Sequence, residues 1–161
     1  MNAARRILIF GGLILAAFGM LYGLHYALFV EHQTLDRMGG SLEAAFVHAA
    51  ERHLPESESA LENYASTKYD YVRQVDSHSH WIGLAMLLIV MGAIFDRVAF
   101  GDRAKFWIAI ALFVGAVAFP LGVLLQTVGH GAYFASALAL LGSASVTIAL
   151  AAVAWGLVAN A

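Results

Sequence analysis

The chain has 161 residues, of which 61% are hydrophobic and only 12% charged. A soluble domain usually carries about twice that charge, and a mean hydropathy of +0.74 points to an integral membrane protein. The absence of cysteine excludes disulfides, thiolate metal sites, iron–sulfur clusters and covalent c-type haem. A net charge of −2 excludes nucleic-acid binding by bulk electrostatics.

The pattern predicts an all-α fold: a four-helix integral membrane bundle forming a single domain over 1–161, with a helical extracytoplasmic segment between the first two membrane helices. The first span is 7–30, free of formal charge and long enough to cross a bilayer. Its length and the lack of an Ala-x-Ala site favour an uncleaved anchor over a signal peptide. The second apolar run, 81–95, covers only about 22 Å as a helix, short of the ~30 Å hydrocarbon core. It must recruit its flanks, giving a span of 78–98. The third span is 105–126 and the fourth 132–159. Between them stands Gly129-His130-Gly131, read as a tight turn.

Positive charge orients these spans. Arg5 and Arg6 precede the first, and Arg97, Arg103 and Lys105 separate the second from the third. Those ends belong inside an inner (plasma) membrane, so both termini are cytoplasmic. Residues 31–77 then lie outside, within a stretch (31–80) that holds nine acidic and four basic residues. In this outer insertion Gly39-Gly40 predicts a turn. Ser41 predicts the cap of a helix over 42–53 that Pro55 stops. Ser59-Ala-Leu-Glu62 reads as the capping box of a second helix running on into span two. Its stripe from Leu61 through Tyr64, Lys68, Tyr71 and Val75 recurs every three or four residues.

The histidines carry the chemistry. His25, His32, His48, His53, His78, His80 and His130 all fall toward the outer end of this topology. Imidazole in a helix bundle is a natural ligand for haem iron, copper or zinc, and polar groups at membrane depth tend to be functional. The cofactor candidates are His25, His78, His80 and His130, and a direct metal site would use His25, His80 and Asp76. Asp76 and His80 share a helical face while His78 points nearly opposite, so Asp76 could orient His80 through its second ring nitrogen. The plainer readings are a polar helix start for Asp76 to His80, helix-to-helix hydrogen bonding for His25, and a loop residue for His130. His48 and His53, five apart on a surface helix, have poor geometry for a shared metal and read as solvated. Gly19-x-x-x-Gly23 is a packing face. Tyr22, Tyr26, Trp81 and Tyr133 suggest an outer aromatic belt. Asp96 and Arg97 are expected to pair with each other or with headgroups.

The run Asp76-Ser-His-Ser-His-Trp-Ile-Gly-Leu-Ala-Met resembles the second helix of subunit I of haem–copper oxidases. It also resembles small orphan membrane proteins related to that subunit, in which a His-x-His pair is followed shortly by glycine. The matching residues are His78, His80 and Gly83, and the first span is broadly similar through Gly19, Tyr22, Gly23 and His25. The resemblance implies haem b or copper held by histidine near the outer face. Four spans are too few for the whole oxidase core, and no later helix carries its further histidine sets. Two functions follow as expectations. One is electron transfer, or accessory and assembly work beside a respiratory membrane complex, with bound haem b or copper. The other is a structural or interaction protein that acts through the outer amphipathic segment, with no cofactor, as a homo-oligomer or with another chain. A proton or metal carrier is disfavoured, because no span has an ionisable residue at its centre.

Overall fold

The computed structural model describes residues 2–129 and 132–159 and is all-α. Helix α1 (Ala3–Phe29) begins where the Asn2 side chain accepts the Arg5 N–H at 2.9 Å, an N-cap. Its buried residues, Ala4, Leu8, Gly11, Gly12, Leu15, Gly19 and Tyr26, recur every three or four positions and form one stripe. The opposite face is apolar and open, with Ile14 68% and Leu21 67% exposed. Apolar surface of this extent is unfavourable in water and suits lipid.

Helix α2 (Glu31–Ala50) follows after Val30 alone. The ladder continues across the joint, because Val30 donates to the Tyr26 carbonyl at 2.9 Å and accepts from Thr34 at 3.1 Å. The turn expected at Gly39-Gly40 is absent, since α2 runs through both glycines. A helical glycine costs about 1 kcal/mol relative to alanine, and both glycines stand in the open, with nothing within 4 Å of an added Cβ. Ser41 is therefore interior to α2 and caps nothing, and the helix ends at Ala50 rather than at 53.

Helix α3 (Leu54–Ile94) is unbroken for 41 residues, about 60 Å. Pro55 lies in its first turn, where no backbone N–H is needed. It opens this helix instead of stopping the one before. Ser59 and Glu62 are already inside α3, and Asp76 to His80 are mid-helix, so neither motif marks a helix start. The segment before the second apolar stretch and that stretch itself thus share one rod. A 3-10 turn (Phe95–Arg97) closes it, and α4 (Asp102–Gly129) and α5 (Tyr133–Val158) complete the chain. The apolar stretches of α1, α3, α4 and α5 are each long and apolar enough to cross a membrane.

Three of these helices, α1, α3 and α4, pack together around Leu8, Trp81, Ala85, Leu88, Ala109 and Leu112. Among the described residues α5 packs chiefly along α4, so the bundle is a triangle with a fourth helix on one side. Small residues allow that close approach. A methyl at Gly142 would lie 2.5 Å from the Phe119 backbone N, and one at Gly115 would lie 2.8 Å from the Gly142 carbonyl. The buried face of α5 is Ala135, Ala139, Gly142, Val146, Ala149, Val153 and Gly156.

The loop end of the bundle gathers the basic residues. Arg5 pairs with Asp96 at 2.8 Å, and Asn2 donates to the same carboxylate at 3.2 Å. Asp96 therefore pairs across the fold with the N-terminus. Lys105, nearly buried, donates to the Asp96 carbonyl at 3.2 Å, a cation on the last carbonyls of a helix. Two members of the expected aromatic belt belong to the interior. Trp81 is 2% exposed and packs edge-on against Phe18 and Tyr22, and Tyr26 is 6% exposed beside Tyr71.

At the other end a polar layer closes the bundle. Tyr69 donates to Gln126 at 3.5 Å, Gln126 donates to Ser136 at 3.4 Å, and Tyr71 donates to Glu31 at 3.4 Å. Because α4 ends three residues after Gln126, roughly the first dozen residues of α3 project past it, about 18 Å. Among the described residues, α2 alone lies beside them. Within α2 only Thr34 and Ala45 are buried, and in the projecting part of α3 only Ser57 and Ala60. Ser57 fastens the pair by donating to the Ala45 carbonyl at 3.0 Å.

Candidate functional site

The candidate ligands of the bundle follow from the rotation of α3. Ser77, Trp81, Ala85, Leu88 and Gly92 form its buried line. At 100° per residue, His78 and His80 fall on opposite flanks of that line. The Ser77 hydroxyl is wholly buried and reaches the Arg73 carbonyl at 2.8 Å and the Pro120 carbonyl at 3.2 Å.

His78, half-buried, turns to α1. Its Nδ1 lies 3.0 Å from the Gly19 carbonyl. A carbonyl only accepts, so Nδ1–H is the donor of this bond. The ring covers Gly23, where any side-chain carbon would collide with it. Gly19 and Gly23 thus admit α3 and its imidazole, the packing role expected of that pair. His80, also half-buried, turns to α4, with its ring centroid 4.6 Å from that of Phe119. His25 lies on the exposed face of α1 against Phe29, ring centroids 5.4 Å apart. Asp76 is half-buried. His25, His78 and His80 therefore face three different surroundings. His130 lies outside the described residues.

An apolar groove of about 310 Å³ runs between α1, α3 and α4, lined by Ile14, Leu15, Phe18, Trp81, Phe113 and Val117 together with Leu121. It offers no ligand atom to a metal or haem iron.

Among the described residues, the potential metal ligands that do gather as a trio are His48, Glu51 and His53, at the tip of the α2–α3 hairpin. Helical spacing concealed them. A helix over 42–53 would put residues 48 and 53 about 140° apart, but α2 ends at Ala50 and the chain reverses. Arg52 takes the left-handed conformation at φ 62°, an uncommon state for a residue other than glycine. The signal for an early stop was weak, because no glycine or asparagine marks it.

The projecting hairpin also exposes apolar side chains, with Phe46 73%, Leu54 63%, Val47 48% and Leu61 47% exposed. Among them, over residues 43–62, stand Glu43, Glu51, Glu56, Glu58 and Glu62 against the single base Arg52.

Comparison with protein-family models, with curated proteins and with solved structures finds no match.

Proposed function

We propose that this chain is a membrane-anchored interaction protein whose working part is the acidic α2–α3 hairpin, held in the extracytoplasmic space. The orientation rests on Arg5, Arg6, Arg97, Arg103 and Lys105, which collect at the end opposite the hairpin. The inner (plasma) membrane is the bilayer to which that rule applies directly. One observation carries the function: the first dozen residues of α3 and the stretch of α2 beside them stand clear of the bundle, with only Ala45, Ser57 and Ala60 buried between them. A two-helix arm with so little core gains little from its own packing, while Phe46, Val47, Leu54 and Leu61 stay uncovered. The fitting occupant is a helical surface of another protein, apolar along its centre and basic at its rim, which buries these side chains and matches the glutamates. The test is to remove residues 39–70 and purify both forms from native membranes. The full chain retains a stoichiometric partner and the shortened chain loses it. A partner kept by the shortened chain contradicts the proposal.

A second reading is favoured by His78. Donation of Nδ1–H to a backbone carbonyl is the arrangement that fixes a metal-ligating imidazole and leaves Nε2 for the ion. On this reading His78 holds haem b or copper, and the protein carries electrons or assists a respiratory complex. An absorption spectrum with metal analysis of the purified protein tests it. A haem or copper signal lost in His78→Ala supports this reading, and a colourless, copper-free protein unchanged by haem and copper reconstitution ends it.

A further inference from the structure

We infer that the tip of the α2–α3 hairpin is a binding site for a divalent transition-metal ion such as zinc, with His48, Glu51 and His53 as its ligands. The inference is independent of the partner proposed for the hairpin and of any cofactor at His78.

The backbone builds the site. His53 donates its N–H to the His48 carbonyl at 2.8 Å, and Arg52 donates to the Ala49 carbonyl at 3.1 Å. With Arg52 left-handed, this is a Schellman motif, whose two hydrogen bonds end a helix and bring the third residue from its end against the residue after the turn. Apolar side chains commonly make that contact. Here both are histidines, with ring centroids 6.3 Å apart. Glu51, the C-cap of α2, falls between them in sequence and lies 3.5 Å from His53 Nδ1 through Oε2.

One ring nitrogen from each histidine and one Glu51 oxygen lie within 4.8 Å of one another. Ligands of a tetrahedral zinc at ~2.0–2.1 Å are about 3.3 Å apart. The Glu51–His53 pair is already near that spacing, and side-chain rotation alone can close the rest, because Glu51 and His53 are exposed and free to turn.

A second observation comes from His48 itself. Its Nδ1 is buried and has no hydrogen-bond partner, an unfavourable state for a polar atom that ligation through this nitrogen would relieve. The ring borders a recess shared with Glu56, Ser59 and Asn63, so a second carboxylate stands nearby.

Two imidazoles with one carboxylate suit zinc or copper, whereas calcium and magnesium take oxygen ligands. Three protein ligands leave the fourth position to water. An ion here would tie the end of α2 to the start of α3 and stiffen the arm at the point farthest from the membrane.

The test is zinc titration of the full chain in detergent by calorimetry, beside His53→Ala, Glu51→Gln and the double variant His48→Ala with His53→Ala. Wild type is expected to take one zinc per chain, with affinity at least tenfold weaker in His53→Ala and no saturable site in the double variant. His25→Ala should bind as wild type does, and calcium should not compete. Far-UV circular dichroism checks that the variants keep their helices, and the exposed Glu51→Gln and His53→Ala changes leave the packing of α2 on α3 untouched. Equal zinc binding by wild type and the double variant overturns the assignment, as does calcium binding of equal strength.

Discussion

His78 reaches from α3 to the Gly19 carbonyl of α1, with Nδ1 3.0 Å from the oxygen, in a gap that Gly23 leaves open. The bond joins α1 and α3 within the bundle, nine residues along α3 from Tyr69 in the polar layer. Side-chain hydrogen bonds between membrane helices average about 0.6 kcal/mol and reach about 1.7. His78→Ala is therefore expected to lower stability by about 1–2 kcal/mol, lost packing included, in a reversible denaturant titration in mixed micelles. His25→Ala, on the open face of α1, should stay within about 0.5 kcal/mol of wild type. Equal losses from the two changes would show that the seam at His78 is not what it holds.

That contrast also shows what the sequence carried and where it stopped. The four apolar stretches, the rod joining the outer segment to span two and the opposite directions of His78 and His80 all follow from hydropathy and the 100° helical step. The facing of His25 was not legible, because a helix apolar all round does not say which side meets protein. Gly39, Gly40, Ser41 and Ser59 looked like boundaries because local propensity favours turns and caps there. Local propensity is a weak prior, and the helices run through all four positions. The trio at His48, Glu51 and His53 was hidden for the converse reason, since a helix stop on arginine has no compositional mark.

The α4–α5 contact depends on backbone-to-backbone approach. Gly142→Leu should lower stability by about 2 kcal/mol or more, in the upper range of overpacking, because the obstacle is the Phe119 backbone. Gly83→Leu is the control, with nothing within 4 Å of the added carbon. Thermal unfolding in detergent compares them. A Gly142→Leu protein as stable as Gly83→Leu would contradict the close packing of these helices.

Arg5 and Asp96 pair at 2.8 Å but remain partly open, with side chains 34% and 54% exposed. Such pairs contribute about 0–1 kcal/mol. A double-mutant cycle with Arg5→Gln and Asp96→Asn should give a coupling below about 1 kcal/mol, smaller still at high salt. A coupling above about 2 kcal/mol, unchanged by salt, would mean the pair is far better shielded than its exposure indicates.

The central claim is that the hairpin, standing clear of the bundle, is the surface that another protein covers. Site-specific photo-crosslinking in native membranes tests it most directly. The probe is placed at Phe46 on α2, 73% exposed, and at Val114 on α4, 54% exposed. The account predicts one discrete protein adduct from position 46 that Leu61→Asp weakens, and none from position 114. No adduct at 46, with one at 114, would contradict it and move the working surface into the membrane.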